Sequence, residues 1–103
     1  VVAAADLSHV GPAFGGQPLD LVGRALVRAA DGRLIERMCA GDAAGFLSEI
    51  TQVGDRYNVC GLPPIYLALR ILGEVSGEAV AYELAPADHA GTSVVSICGL
   101  LWH

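Results

Sequence analysis

Two apolar runs at opposite ends of the sequence most constrain how this chain can fold. Residues 1–5 are all apolar, and residues 94–102 are apolar almost throughout, with an interruption at Gly99. Neither run alternates regularly with polar residues, which is typical of strands covered on both faces in a mainly parallel sheet. We therefore predict an α/β fold with a mixed, mainly parallel sheet flanked by helices, in which the second run is a central strand.

Composition limits the kind of protein this can be. The 103 residues suffice for one domain. With 53% hydrophobic residues and a mean hydropathy of +0.51, the chain carries more apolar surface than a small domain usually buries, which indicates a core or an interface. No apolar run approaches the roughly 20 residues of a membrane-spanning helix. A net charge of −5 disfavours binding to nucleic acid or to an anionic membrane.

The cysteines and the first residues bear on compartment and completeness. Cys39, Cys60 and Cys98 form no paired motif, so neither a disulfide framework nor a zinc ribbon is indicated, and a reducing cytoplasm is the expected compartment. The sequence starts with Val1 inside an apparent core strand, without an initiating Met or a secretion signal. We expect residues 1–103 to be the C-terminal part of a single longer domain.

Helix signals divide the middle of the chain. Asp20 can cap a helix to about Ala30, and Asp31-Gly32 then ends or kinks it before a second helix. Gly41 stops that helix, and Asp42 caps the next. The faces that we expect to be buried are Leu21, Ala25 and Leu26 in the first helix, Leu34, Ile35, Met38 and Cys39 in the second, and Phe46, Leu47, Ile50 and Val53 in the third.

The last third of the chain carries a further helix and a strand. Pro63-Pro64 can start a helix running to about Leu72, which should be nearly fully buried because most of its residues are apolar. Residues 80–84 alternate as in a half-buried strand, and residues 86–91 are rich in turn formers.

The first candidate site is an Asp-x-x-His pair. Asp6 and His9 follow directly on the first apolar run, and ligands of α/β sheets bind beyond the carboxyl ends of strands. The alternative is structural, with Asp6 capping the turn and His9 hydrogen-bonded in a loop. Residues 11–18 form a Gly- and Pro-rich loop of a length that usually has a functional or gating role.

Cys60 is the second candidate, because it lies just before the helix that Pro63-Pro64 starts. The positive end of a helix dipole lowers the pKa of a thiol and favours the thiolate that binds metals. The alternative is that Cys60 is a small buried residue in a tight turn.

Three blocks of sequence now stand together in order. They are Ala4-Ala5-Asp6-Leu7-Ser8-His9-Val10-Gly11-Pro12 with Phe14-Gly15, Gly41-Asp42-Ala43-Ala44-Gly45-Phe46, and Cys60-Gly61-Leu62-Pro63-Pro64-Ile65-Tyr66 with Leu69-Arg70. In this order and spacing they resemble the MEMO family, whose bacterial members are called AmmeMemoRadiSam system protein B. The resemblance extends over essentially the whole chain but covers only the C-terminal part of the family domain.

This resemblance implies a fold similar to the class III extradiol dioxygenases, with a non-haem metal pocket at one edge of the sheet. The family holds its metal with two histidines of the N-terminal half and a cysteine that matches Cys60. The histidine that matches His9 is placed as an acid/base group, and the carboxylate that matches Asp6 lies beside it. The two ligand histidines have no counterpart here, so we expect iron or copper in the full-length protein and no tight binding to residues 1–103 alone. Residues 83–91 depart from the family pattern.

Two functions remain open. The first is a metal-dependent redox or dioxygenase-like enzyme, with Cys60 on iron or copper, His9 as acid/base and Asp6 orienting it. The second is a module that binds a peptide or protein in the same pocket. In both cases the small-molecule or peptide ligand is unknown, and we expect a missing N-terminal segment or self-association to complete the sheet. The bacterial family name also suggests a partner from a radical-SAM system.

Overall fold

A computed structural model describes residues 1–52, 54 and 57–103 as a small α/β domain. Its elements in chain order are β1 (Val2–Val10), a single 3-10 turn (Pro12–Phe14), α1 (Leu21–Cys39), α2 (Ala43–Gln52), α3 (Leu62–Leu72), β2 (Gly77–Pro86) and β3 (Val94–Trp102). Among these residues, none of the helices combines the length and the apolar character needed to cross a lipid bilayer.

The described strands form one antiparallel sheet with the order β1-β3-β2. β3 is the central strand, as predicted, and its residues alternate between buried and less buried positions. The prediction of a mainly parallel sheet is wrong for these strands. One reason is that β2 and β3 are joined only by residues 87–93, and a connection this short between paired strands can only join antiparallel neighbours. The turn falls within the predicted turn region, where Asp88 accepts hydrogen bonds from the backbone and hydroxyl of Thr92.

One face of the sheet packs against the helices and forms the core. Trp102 of β3 is buried there and donates its indole N–H to the carbonyl of Met38 in α1 at 2.8 Å. The core cluster consists of Leu7, Leu34, Met38, Ala43, Phe46, Ile50, Val59, Ile65, Leu69, Cys98, Leu100 and Trp102. These side chains come from every helix and from two strands, so a single core holds the described elements together.

The opposite face of the sheet is open. Val2 of β1 is 74% exposed, Val80 of β2 is 62% exposed, and Ile97 of β3 is also exposed. Nothing within the described residues covers this face, and its covering by a further segment or a second copy stays a prediction. An apolar run made largely of alanine shows no polar alternation, yet its small side chains can line an uncovered face at little cost.

α1 is one continuous helix, so Asp31-Gly32 does not end it. Asp20 caps it as predicted, with its side chain accepting from the amide of Gly23 at 2.7 Å. The predicted apolar face of the first half is wrong, since Leu21, Ala25 and Leu26 are exposed and Val27 and Ala30 are buried instead. The buried face of α1 is rotated relative to the predicted one, because it includes Asp31, which is fully buried and accepts hydrogen bonds from hydroxyl groups of the sheet.

α2 and α3 begin where the sequence predicts. Asp42 caps α2 by accepting from the amide of Gly45 at 2.8 Å, and α3 has its prolines in the first turn. Phe46 and Ile50 are buried and Leu47 is partly buried, while Val53 lies outside the described residues. The near-complete burial predicted for α3 is wrong, because only its side facing the core is covered. Its buried residues are Ile65 and Leu69, and its exposed apolar ones include Leu67 and Ile71.

Candidate functional site

Asp6, His9 and Cys60 come together in space, as the sequence predicted. A carboxylate oxygen, an imidazole nitrogen and the sulfur all lie within 4.8 Å of one another. The imidazole Nε2 of His9 is 3.6 Å from the Sγ of Cys60. Asp6 and Cys60 are exposed and His9 is partly buried, so the cluster is open to a ligand from solvent.

A β-bulge in β1 places Asp6 and His9 on the same face of the sheet. Asp6 lies opposite Ile97 and His9 lies opposite Val95, so three steps along β1 match two steps along β3. Residues three apart in a regular strand point to opposite faces. The extra residue of the bulge returns His9 to the face of Asp6. Both residues lie inside β1 rather than beyond its end, so the predicted strand tip is replaced by a bulge.

Backbone carbonyls fix the imidazole of His9. Its Nδ1 lies 3.2 Å from the carbonyl oxygen of Leu7 and 3.2 Å from that of Asn58. Both are acceptors, so we assign the proton of the neutral ring to Nδ1. Nε2 then carries the lone pair, and it faces Cys60. A histidine whose other ring nitrogen donates to a carbonyl has the arrangement that is usual for metal ligands.

The chain around residue 58 is tied to His9 from both sides. The amide of His9 donates to the carbonyl of Tyr57 at 2.7 Å, and the side-chain amide of Asn58 donates to the carbonyl of His9 at 3.1 Å. Asn58 has a φ of 51°, a left-handed conformation that Asn tolerates better than most residues. Asn58 is a site residue that sequence reasoning missed, although an Asn in a polar stretch before a candidate cysteine is a signal of such a turn.

The Gly- and Pro-rich loop presents an aromatic ring to His9. The ring of Phe14 meets the imidazole edge to face, with centroids 5.1 Å apart and planes at 84°. The loop is anchored because the amide of Ala13 donates to the Oγ of Ser93 at 2.9 Å. Gly11 has a φ of 117° and packs so closely on Ser93 that a side chain would overlap it. The loop thus positions one wall of the site, while the gating role expected of it stays a prediction.

Cys60 reaches the site because α3 begins very close to β1. A Cβ on Gly61 would overlap the carbonyl oxygen of Asp6, so only glycine permits this approach. Partial desolvation by neighbouring atoms and the nearby Asp6 carboxylate raise the pKa of the otherwise exposed Cys60 thiol. The predicted lowering by the helix dipole is therefore wrong. Cys60 precedes the cap of α3, and partial desolvation next to a carboxylate disfavours the thiolate.

The donor set fits a transition-metal ion. A thiolate, an imidazole and a carboxylate together suit zinc, iron or copper better than magnesium or calcium. In a tetrahedral site with ordinary bond lengths, sulfur and nitrogen ligands lie roughly 3.6 Å apart, which matches the separation of Sγ and Nε2. The resemblance implied a single ligand on these residues, whereas the structure brings three candidate ligand atoms together.

The other cysteines and histidines lie elsewhere. Cys39 is partly buried against the core, as predicted. Cys98 is buried, and burial raises the pKa of its thiol to about 11. His89 is exposed in the β2–β3 turn, and His103 lies 3.7 Å from Glu78. Within the described ranges, Asp6, His9 and Cys60 are therefore the group of side chains that could hold a metal ion.

Comparisons with known proteins add no identification. No model of a known protein family matches the chain, and no curated protein sequence matches it either.

Proposed function

We propose that this chain carries the cysteine edge of a non-haem metal pocket in a MEMO-like protein with metal-dependent redox activity. The observation behind the proposal is the convergence of Asp6, His9 and Cys60 within 4.8 Å. The proposal includes the class III dioxygenase-like arrangement, in which strands beyond the described sheet and two further histidines would complete the pocket.

Cys60 and His9 would be the principal ligands on this chain. The Sγ of Cys60 would bind as a thiolate, and Nε2 of His9 would offer a lone pair from a ring fixed through Nδ1. Asp6 supplies a carboxylate oxygen on the same face. Iron or copper held here would supply one-electron chemistry to a bound substrate.

Acid/base catalysis is the alternative role of His9, because the one lone pair on Nε2 cannot bind a metal ion and accept a proton at the same time. The lone pair on Nε2 can accept a proton from a substrate that approaches across the open face, since His9 is only partly buried. Phe14 contacts the imidazole ring edge to face. The metal content of a His9→Ala variant separates the two roles. The variant loses the metal if His9 is a ligand, and it keeps the metal if His9 acts only as an acid/base group.

A peptide-binding module is the second candidate function. A groove of about 560 Å³ runs between β1 and α3 beside Asp6 and Gly61. Its walls are the residue 1–6 strand together with Pro64, Ile65, Ala68 and Trp102. An apolar groove along a strand edge suits an extended peptide, and in that case the polar cluster would orient the peptide without a metal.

Titration with Co²⁺ tests the metal pocket directly. Three converging ligand atoms should bind Co²⁺ weakly even without the further histidines, so the titration is carried to high Co²⁺ concentration. Binding through a thiolate produces a sulfur-to-cobalt charge-transfer band in the near ultraviolet, which we expect for the wild-type chain and not for Cys60→Ala. Cys39→Ala is the matched control, because Cys39 lies against the core away from the cluster, and it should keep the band. A wild-type chain without the band, or a Cys60→Ala variant that keeps it, would overturn the metal pocket and favour the groove.

A further inference from the structure

A second polar cluster lies on the helix-covered side of β1 and takes no part in the proposed chemistry. Asp31 of α1 is 0% exposed. It accepts from the hydroxyl of Ser8 at 2.7 Å and from the hydroxyl of Tyr82 at 2.5 Å. We call Ser8, Asp31, Tyr82 and Ser96 the inner cluster, and Asp6, His9 and Cys60 the outer cluster. Burying a carboxylate costs free energy of folding, so a buried Asp31 indicates a structural role for this side chain.

Ser8 connects the two clusters. It lies in the bulge, between Asp6 and His9, where Leu7 and Ser8 together oppose the single residue Ser96. Its amide donates to the Oγ of Ser96 at 2.8 Å, and its hydroxyl donates to Asp31. Both polar donors of Ser8 are thus used on the buried side of the strand.

In a regular strand, Ser8 would share the open face with Asp6, and His9 would point inward. The bonds to Ser96 and Asp31 hold Ser8 inward instead, and Leu7 beside it is also fully buried. Two successive inward residues are what turn His9 outward.

We propose that Asp31 is a positioning residue, which holds the bulge through Ser8 and thereby sets His9 beside Cys60. The inference rests on the proposed metal pocket for its functional meaning. Asp31 touches none of the outer cluster in the described structure, and its effect passes through the Ser8 hydroxyl and the bulge.

The test compares two variants that each remove one of the two hydroxyl groups donating to Asp31. Ser8→Ala removes the bond that holds the bulge, and Tyr82→Phe removes the bond to β2. We expect Ser8→Ala to weaken Co²⁺ binding roughly tenfold, as loss of supporting contacts around metal ligands does. Tyr82→Phe should stay within about twofold of wild type. Equal affinities for Ser8→Ala and wild type would overturn the proposal, and so would equal losses in both variants.

A metal-free measurement separates this proposal from the metal pocket. Proton NMR should show a nuclear Overhauser effect between the His9 ring and the Cys60 β-protons in wild type and in Tyr82→Phe, and none in Ser8→Ala. If the wild-type chain binds no Co²⁺ but this pattern is found, the metal pocket fails and the positioning role stands. If Ser8→Ala keeps the effect, the positioning role fails.

Asp31→Asn covers the case in which Ser8→Ala does not fold. The amide has nearly the same shape, but it replaces a charge-assisted hydrogen bond with a weaker neutral one. A folded Asp31→Asn variant should show a weaker Overhauser effect and lower Co²⁺ affinity than wild type. Wild-type values for both would overturn the proposal.

Discussion

The inner and outer clusters are built from similar groups but are satisfied very differently. In the inner cluster, Asp31 receives two hydroxyl donors at 2.7 and 2.5 Å and is fully buried. In the outer cluster, the contact between His9 and Cys60 is 3.6 Å long, and the Asp6 and Cys60 side chains are exposed. A buried polar group with all its partners holds the fold together, whereas exposed lone pairs remain available to a ligand.

The electrostatics follow the same division. In the inner cluster, burial first and the Asp31 carboxylate second raise the pKa of Tyr82, so its hydroxyl stays a donor throughout the neutral range. In the outer cluster, partial desolvation and Asp6 raise the pKa of the Cys60 thiol, so metal binding must release a proton. Tyr82 therefore stays protonated near neutrality, whereas metal binding at Cys60 requires the loss of a proton.

The largest expected effect is on stability. Asp31→Ala leaves the hydroxyls of Ser8 and Tyr82 without their acceptor, and we expect it to lower the free energy of unfolding by about 3 kcal/mol. The matched variant Asp6→Ala removes an exposed carboxylate and should change stability by only about 0.5 kcal/mol. Urea unfolding followed by circular dichroism measures both. Similar losses in the two variants would remove the distinction between the clusters.

Glycine substitutions probe the contact that brings Cys60 to the outer cluster. Gly61→Ala forces a methyl group against the Asp6 carbonyl, and we expect it to destabilise the chain by about 2 kcal/mol and to weaken Co²⁺ binding. Gly32 lies in α1 with open space around its Cα, so Gly32→Ala should stabilise by about 0.5 kcal/mol. Thermal unfolding and cobalt titration test both. Unchanged cobalt affinity in Gly61→Ala would mean that this approach does not position Cys60.

Cobalt affinity should increase with pH. The raised pKa of Cys60 keeps it protonated near neutrality, and each bound ion must displace that proton. We therefore expect the affinity to rise roughly tenfold per unit between about pH 7 and 8, because one proton is released per ion. Titrations at several pH values in weakly coordinating buffer measure this slope. A pH-independent affinity would show that the thiolate is not a ligand.

Thiol labelling should give the smallest but most direct contrast. Cys60 is exposed and Cys98 is buried with a pKa of about 11, so Cys60 should react with a disulfide reagent well before Cys98. Asp6→Asn removes the charge that helps raise the pKa of Cys60, and it should speed the labelling of Cys60 at neutral pH while leaving Cys98 unchanged. Mass spectrometry of the labelled chain resolves the two sites. Slower Cys60 labelling in Asp6→Asn would contradict this account.

The proximity of the outer cluster was predictable, but the way in which it forms was not. The Asp-x-x-His spacing and the Cys60 position before Pro63-Pro64 indicated one site, and the structure brings these groups together. The sequence analysis placed Asp6 and His9 at a strand end, because a bulge leaves no local pattern in an apolar run. The Asp31-Gly32 pair predicts an end or a kink of the first helix, since an Asp-Gly pair usually marks a turn, whereas α1 continues through it.

Local rules of the chain determined the helix starts and the central strand. Asp20, Asp42 and Pro63 each satisfy or remove backbone donors within a few residues, so their effect needs no distant partner. The pairing of β1 with β3, the open face and the bulge were decided only in the tertiary structure. The bulge depends on Asp31 and Ser96, which contact Ser8 from 23 and 88 residues away. A strand's two faces differ by a single residue of register, and only partners in the folded core choose between them.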